Sequence, residues 1–195
     1  MKLFVFIQHE KDKINHVSLE ALKGAQEIAG ESDGTVIAVT FSASVGKKLT
    51  GYDLSEILVI EDPKLEAYNP LYYVKAMENV ASAESADILV FGHSYEARDW
   101  VPRLSARLDI PFVSDCIGFR MDNKLTLIRS VYQGKFNADL SVNNEKFILS
   151  FQSGAFRIDS LRIGAASIRN ISVDLSNVDG SIQPGDKFQE SETSV

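Results

Sequence analysis

The stretch ADILVFGHSYEARDWVPRLSARLDIPFVSDC, from Ala86 to Cys116, predicts the fold class of this chain. It opens with DILVFG (residues 87–92), a continuous apolar run typical of strands that are buried on both faces of a parallel sheet. A polar loop follows, and a second apolar stretch begins at Phe112. Between them, apolar residues recur at helical spacing: Trp100, Val101, Leu104 and Leu108. The order strand, helix, strand predicts a right-handed parallel crossover.

The same alternation of apolar runs and helical patterns is found upstream. Buried strands are predicted at LFVFI, TVIAVTF and EILVIED, which are residues 3–7, 35–41 and 56–62. Pro70 after Asn69 is typical of the first position of a helix, which we expect to extend to about Ser85. Because parallel strands need crossover connections, this order predicts an α/β fold in which a mostly parallel sheet is the middle of three layers.

The pattern changes after residue 112. Apolar and polar residues then alternate as far as Phe156, with turn signals at Asp122-Asn123, Gln133-Gly134 and Asn143-Asn144. This alternation predicts an antiparallel β meander added to the parallel core, and one more strand is predicted within residues 165–173. From Ser176 the composition is that of a linker. We therefore predict one domain at residues 1–175 and a polar linker or tail at residues 176–195.

The composition of the chain limits its possible binding partners and its cellular compartment. The formal net charge of −7 argues against nucleic acid as a partner, because phosphate binding needs a basic face. No apolar run approaches the roughly 18 residues of a membrane span. The first strand follows no signal or transit pattern, so we expect a bacterial cytoplasmic chain without membrane insertion. The single cysteine, Cys116, excludes an intramolecular disulfide, and we expect it to be buried.

The loops after the predicted strands carry no complete catalytic or phosphate-binding motif. The first, QHEKDKIN, lacks the glycines of a dinucleotide fingerprint or a P-loop. His9, His16 and His93 lack metal-binding spacing, and the sequence has no GxSxG motif. These observations favour a binding, docking or subunit role over a self-contained enzyme, and an enzyme that uses His93 and Glu96 remains an alternative.

The predicted helix after residue 94 carries a set of arginines. Arg103 and Arg107 are four residues apart, so they share one face of the helix, and Arg98 lies one turn earlier. A partner carboxylate or phosphate would relieve their mutual repulsion. The simpler expectation is that they pair with carboxylates of the chain itself, for which the candidates are Glu96, Asp99 and Asp109.

Several motifs in the same order resemble one family. RDWVPRLSARL at 98–108, followed by Ser114-Asp115, resembles the GRDLAPRLAARL…SD signature in the amino-terminal domain of electron transfer flavoprotein alpha subunits. The opening residues 3–29 resemble the family's first strand, loop and helix. The segment from Arg129 is similar to its RP-Y-G-A segment, in which the matching residues are Arg129, Tyr132, Gly134 and Ala138. The departures are Ala97 for glycine, and Gln152 and Ser153 for the arginine and proline of the segment TVRPGAF.

The resemblance implies a heterodimeric electron carrier. Acyl-CoA and related dehydrogenases, as in fatty acid oxidation, reduce the FAD of this family, and a quinone oxidoreductase or another acceptor reoxidises it. The alpha amino-terminal domain, a sheet of the adenine nucleotide alpha hydrolase-like type, pairs with the beta subunit and supports a separate FAD domain. AMP belongs to the beta subunit. The family's flavin signature is absent from this sequence, so we expect the chain not to bind FAD alone.

The resemblance also assigns roles to residues. Arg98, Asp99, Arg103, Asp115 and Arg129 are expected to be interface or structural residues and not catalysts. The alternative is a free-standing adenine-nucleotide-binding protein of the universal stress protein type, against which the missing glycine-rich loop argues.

Overall fold

Strands and helices alternate over the first half of the chain, as the apolar runs predict. The computed structural model describes residues 1–185. The elements of the first half are β1 (Lys2–Phe6), β2 (His9–Glu10), β3 (Lys13–Ile14), α1 (His16–Glu31), β4 (Thr35–Thr40), α2 (Ala43–Leu49), β5 (Glu56–Val59), α3 (Pro70–Ala83), β6 (Ile88–Gly92) and α4 (Tyr95–Leu108). Those of the second half are β7 (Phe112–Met121), β8 (Leu125–Val131), β9 (Phe136–Ser141), β10 (Phe147–Phe151) and β11 (Ile168–Asn170).

Nine strands form one sheet in the order β11-β5-β4-β1-β6-β10-β7-β8-β9. The seven strands from β11 to β7 pair in parallel, whereas β7 with β8 and β8 with β9 pair antiparallel. The strands β2 and β3 form a separate antiparallel hairpin in the loop after β1, which the sequence analysis did not predict. This topology confirms the predicted three-layer α/β fold and the antiparallel meander of β7, β8 and β9.

The expectation that the meander continues through residues 147–151 is wrong. This segment is β10, which lies parallel between β6 and β7, and all five of its residues are buried. The misleading signal is Ser150, the single polar side chain in FILSF, which gives the run an alternating pattern. The Ser150 hydroxyl can be buried at low cost because it is hydrogen-bonded within the fold. A central strand therefore tolerates this one polar residue.

Each face of the sheet is covered by its own apolar core. On one face, α3 and α4 pack on a cluster of aromatic rings in edge-to-face contacts, which are Phe6, Phe41, Tyr73, Phe91 and Trp100. On the other face, α1 packs on the alternate side chains of the same strands, such as Val5, Val90 and Phe151. Asn15 caps the start of α1 by accepting from the backbone N–H of Val17. The buried position of Cys116, on this second face, is confirmed.

The segment after β10 returns to the opposite edge of the sheet. The predicted strand within 165–173 is confirmed as β11, which pairs in parallel with β5. Arg169 anchors it through bidentate contacts of 2.8–2.9 Å to Glu56 and Glu84. The Ile182 carbonyl accepts from Asn69 Nδ2 at 2.7 Å, so part of the predicted tail lies along the domain. Residues 186–195 of that tail lie outside the described residues, and the domain boundary stays a prediction.

Trp100→Ala tests the aromatic core. Trp100 is fully buried, so we expect the substitution to lower the free energy of unfolding by about 3–5 kcal/mol. Tyr95, on the same helix, is 89% exposed, so Tyr95→Ala should change that free energy by less than ~0.5 kcal/mol. Urea unfolding followed by circular dichroism measures both variants, and equal losses would contradict the packing described for α4.

Candidate functional site

The candidate site is the carboxyl edge of the parallel strands. The chain places β4 and β5 on one side of β1 and then crosses to β6 on the other side, so the sheet has a topological switch between β1 and β6. Loops leave in opposite directions at such a switch and open a crevice, which is where ligands bind in open α/β sheets. Here the loops that meet are those after β1 and β6, together with the ends of β10 and β7.

Hydrogen bonds join the ends of β1, β6 and β10 and the bulge of β7 at this edge. Gln8, after β1, accepts from the Ser94 hydroxyl at 2.5 Å. The Ser94 Oγ also caps α4 by accepting from the N–H of Ala97 at 3.1 Å. The His93 N–H donates to the Phe151 carbonyl at 2.8 Å, and the N–H of residue 152 donates to the Cys116 carbonyl at 2.8 Å. The loops are therefore held in one arrangement by the strands beneath them.

His93, Ser150 and Asp115 form the centre of this edge. His93 Nδ1 lies 2.9 Å from the Ser150 hydroxyl, and that hydroxyl accepts from the Asp115 N–H at 3.2 Å. Because Ser150 already accepts from a backbone N–H, its own proton can be donated to Nδ1, which places the ring proton on Nε2. Nε2 faces Asp115 Oδ1 at 3.8 Å. Ser150 is wholly buried, so its hydroxyl orients the ring and is not available as a nucleophile.

Asp115 lies at an irregular point of β7. Its backbone is left-handed, with φ of 61°, which is uncommon for a residue other than glycine. The pairing of β10 with β7 shifts register between Leu149 and Phe151, and that of β7 with β8 shifts between Cys116 and Gly118. Bulges of this kind re-aim side chains next to functional sites. Asp115 Oδ1 is buried and has no hydrogen-bond partner among residues 1–185.

Burial lowers the pKa of His93, the neighbouring Asp115 carboxylate raises it, and Arg98 and Arg129 lower it. The net effect is a pKa below the ordinary value of 6.5. Burial also raises the pKa of the Cys116 thiol to about 12, so this cysteine is protonated and unreactive at neutral pH.

Asp99 and Arg103 pair with each other away from His93. Arg103 donates to Asp99 Oδ1 through Nη2 at 3.0 Å and through Nε at 3.2 Å, one turn apart on α4. Tyr68 donates to the other oxygen of Asp99 at 2.7 Å, and this bond lowers the pKa of Asp99. Arg107 pairs with Glu78 on α3, so the expected pairing with the chain's own carboxylates is confirmed for Arg103, while the partner of Arg107 differs from the candidates.

The five residues expected to act at an interface do not form one site but divide into two groups. Arg98, Asp115 and Arg129 lie close enough to His93 to affect its pKa. Asp99 and Arg103 pair with each other on α4. Asp115 is at the strand edge, and Arg98 stacks on the exposed ring of Tyr95 with 5.2 Å from its Cζ to the ring centroid. Arg129 lies on β8, opposite Cys116. The residues that sequence reasoning missed are Ser150 and Gln8, for which the available signal was a polar residue within or directly after a buried apolar run.

A cleft of about 1120 Å³ opens beside this edge, between the ends of β1, β4 and β5 and the helices α3 and α4. Its aromatic wall includes Phe41, Tyr68 and Tyr73. Carboxylates dominate its charge, and they are Glu10, Asp12, Glu61, Asp62, Glu66, Glu96 and Asp99, against the cations Lys11 and Arg103 and the imidazole of His9. Such a lining repels a phosphate group, although the cleft is large enough for a nucleotide.

Comparison with known proteins now decides the family. The sequence profile described as "Electron transfer flavoprotein domain" matches residues 3–176. The chain belongs to the electron transfer flavoprotein family. It is 31% identical over 138 residues to the electron transfer flavoprotein subunit alpha of Bacillus subtilis (strain 168), a match that covers 69% of this chain and 42% of the relative.

Two further relatives share the similarity over shorter or weaker matches. The subunit alpha of Syntrophomonas wolfei is 24% identical over 85% of this chain and 52% of its own length. The "Acryloyl-CoA reductase electron transfer subunit beta" of Anaerotignum propionicum is 24% identical over 62% of this chain and 34% of its own length. The chain thus spans about half or less of the length of these relatives.

Within residues 1–185, no three His, Cys, Asp or Glu side chains are placed to share a metal ion. None of the helices in the described part is both long and apolar enough to cross a bilayer.

The pKa of His93 makes stability depend on pH. The unfolded chain binds a proton near pH 6.5, whereas the folded ring does so only at lower pH, so the unfolding free energy falls as the pH drops from 6.5 toward the folded pKa. In His93→Gln this loss should shrink. Urea unfolding of both proteins between pH 7.5 and 5 measures this loss of unfolding free energy. Burial also lowers the pKa of His9, but His9 is present in both proteins and does not contribute to the difference between them. An unchanged slope would contradict the inferred protonation of His93.

Proposed function

We propose that this chain is the amino-terminal scaffold domain of an electron transfer flavoprotein alpha subunit that pairs with a beta subunit. The observation that carries the proposal is the family match over residues 3–176, together with relatives that are alpha subunits. In this proposal the heterodimer supports an FAD domain that receives electrons from acyl-CoA and related dehydrogenases. It passes them to a quinone oxidoreductase or another acceptor, in the cytoplasm and without membrane insertion.

The geometry of the described residues supports a docking role for the domain. Ser150 is buried and the Cys116 thiol is protonated, so neither supplies a nucleophile at the strand edge. The large cleft does not fit FAD, because a pyrophosphate there would face the carboxylates of Glu61, Glu66 and Asp99. FAD therefore belongs, in this proposal, to sequence other than these residues, and AMP to the beta subunit. Arg98, Asp99, Arg103, Asp115 and Arg129 are assigned interface or structural roles.

The meander offers the surface for the beta subunit. Strand β9 is the free edge of the sheet, and its backbone groups on the outer side are not paired within the described chain. At the turn between β8 and β9, Tyr132 and Phe136 are 77% and 65% exposed and pack edge to face. Tyr132 also has a left-handed φ of 51°, a conformation that is unfavourable for a bulky residue. An exposed edge with presented aromatic rings is typical of a protein interface.

Co-expression with the beta subunit of the same organism tests the pairing. We expect a 1:1 complex on size exclusion, and Phe136→Ser should weaken it about 10-fold or more, because exposed aromatic anchors carry much of the energy of an interface. Ile163→Ser removes another exposed apolar side chain, at a residue that bridges to Tyr52 outside the meander, and should leave the affinity unchanged. A folded chain that elutes alone beside the beta subunit would reject the proposal.

Calorimetry separates the scaffold role from the alternative, a free-standing adenine-nucleotide binder. Because carboxylates line the cleft, we expect ATP, AMP and FAD each to bind the isolated chain no more tightly than about 1 mM. The measurement uses the wild-type chain at low salt, where an attraction between phosphate and protein would be strongest. Micromolar binding of ATP would favour the alternative.

A further inference from the structure

Arg129 has no hydrogen-bond or ion-pair partner for its side chain among residues 1–185. It lies in the middle of β8, opposite Cys116 of β7 and Ala138 of β9. Its Nε is buried, and within the described residues its guanidinium makes neither a hydrogen bond nor an ion pair. Arg120, on the same meander, shows the contrast, since it pairs with Asp139 at 2.6 Å. A partly buried guanidinium without an acceptor is costly, which points to an acceptor that comes from outside these residues.

Arg129 lines a cleft of about 390 Å³ between the start of β7 and the end of β9. The walls of this cleft are mostly apolar, with Phe112, Val113, Leu140 and Val142 among them. Among the described residues that line it, Arg129 alone carries a charge. A single guanidinium between apolar walls favours a group with one negative charge and an apolar stem, because its planar fork matches a carboxylate and the low polarity strengthens the pair.

The position of the cleft indicates where the carboxylate comes from. Leu140 and Ser141, which line it, are the last residues of β9, the exposed edge strand. A chain that docks along this edge reaches the cleft without any movement of the core. The one charge that the described lining of the cleft offers to such a chain is the guanidinium of Arg129, which attracts an anion.

We propose that Arg129 binds an Asp or Glu side chain of the beta subunit, carried on an apolar segment that lies in the cleft beside β9. This inference rests on the proposed pairing with a beta subunit and assigns it a specific contact. The carboxylate accepts from the two Nη groups of Arg129, since Nε is buried and out of a partner's reach. The guanidinium thereby gains the carboxylate that it lacks among residues 1–185.

The test compares Arg129→Gln with Arg120→Gln in the complex with the beta subunit. Calorimetry should show affinity about 30-fold or more weaker for R129Q, because the partner carboxylate is left unpaired, and within about threefold of wild type for R120Q. Arg129→Lys keeps the positive charge but loses the planar guanidinium, so its affinity for the beta subunit should lie between those of wild type and R129Q. The melting temperature of isolated R129Q should be unchanged or higher, since the Arg129 side chain has no hydrogen bond to lose among residues 1–185.

Each other result overturns the inference in a recognisable way. A wild-type chain that forms no complex rejects the proposed function itself. A wild-type complex that R129Q forms equally well rejects only the contact, and a lower melting temperature of isolated R129Q assigns Arg129 to the fold. Sodium hexanoate tests whether the cleft binds a free carboxylic acid and not a protein side chain. Binding to the isolated chain with a dissociation constant below about 100 µM, lost in R129Q, would assign the cleft to a free acid.

Discussion

Strand β10 is the element on which both the sheet and its carboxyl edge depend. It lies between β6 and β7, so its backbone groups must be satisfied by both neighbours, and it joins the parallel core to the meander. Phe147 and Phe151 fill the core under α1, while Ser150 turns its hydroxyl toward His93 and the Asp115 N–H. The loops after β6 and at the β7 bulge are therefore positioned by one buried strand, and the chemistry of that edge follows from its packing.

The charges of the domain divide into those that the chain satisfies and those that it does not. Arg103 and Arg169 have carboxylate partners within the fold. The exposed pair of Arg103 with Asp99 contributes little to stability, whereas the bidentate contacts of Arg169 anchor β11. Arg129 Nε and Asp115 Oδ1 are buried atoms without a hydrogen-bond partner among residues 1–185. The cost of such atoms is acceptable in a surface that is completed by another protein, which agrees with the docking role proposed for the domain.

The sequence predicted the parallel core well because a strand buried on both faces needs a continuous apolar run, and β1, β4 and β6 have such runs. Helix α3 was recognised from Asn69-Pro70, because its capping interactions are local in sequence. The candidate site was predicted only in part. Asp115 and Arg129 were identified from a resemblance, but their lack of partners depends on which strands lie next to them, and no local pattern reports that.

The amino-acid sequence by itself determined the α/β class, the meander, the burial of Cys116 and the family, since each follows from local periodicity or from an ordered set of motifs. Only the tertiary structure decided that residues 147–151 form a central parallel strand, because strand order is set by long-range packing and not by the pattern of the strand. It also decided that residues 86–116 lie in two separate parts of the fold. Asp99 and Arg103 pair on α4, whereas Asp115 lies beside His93 at the strand edge. Residues close in sequence were separated because the helix and the strand lie in different layers of the fold.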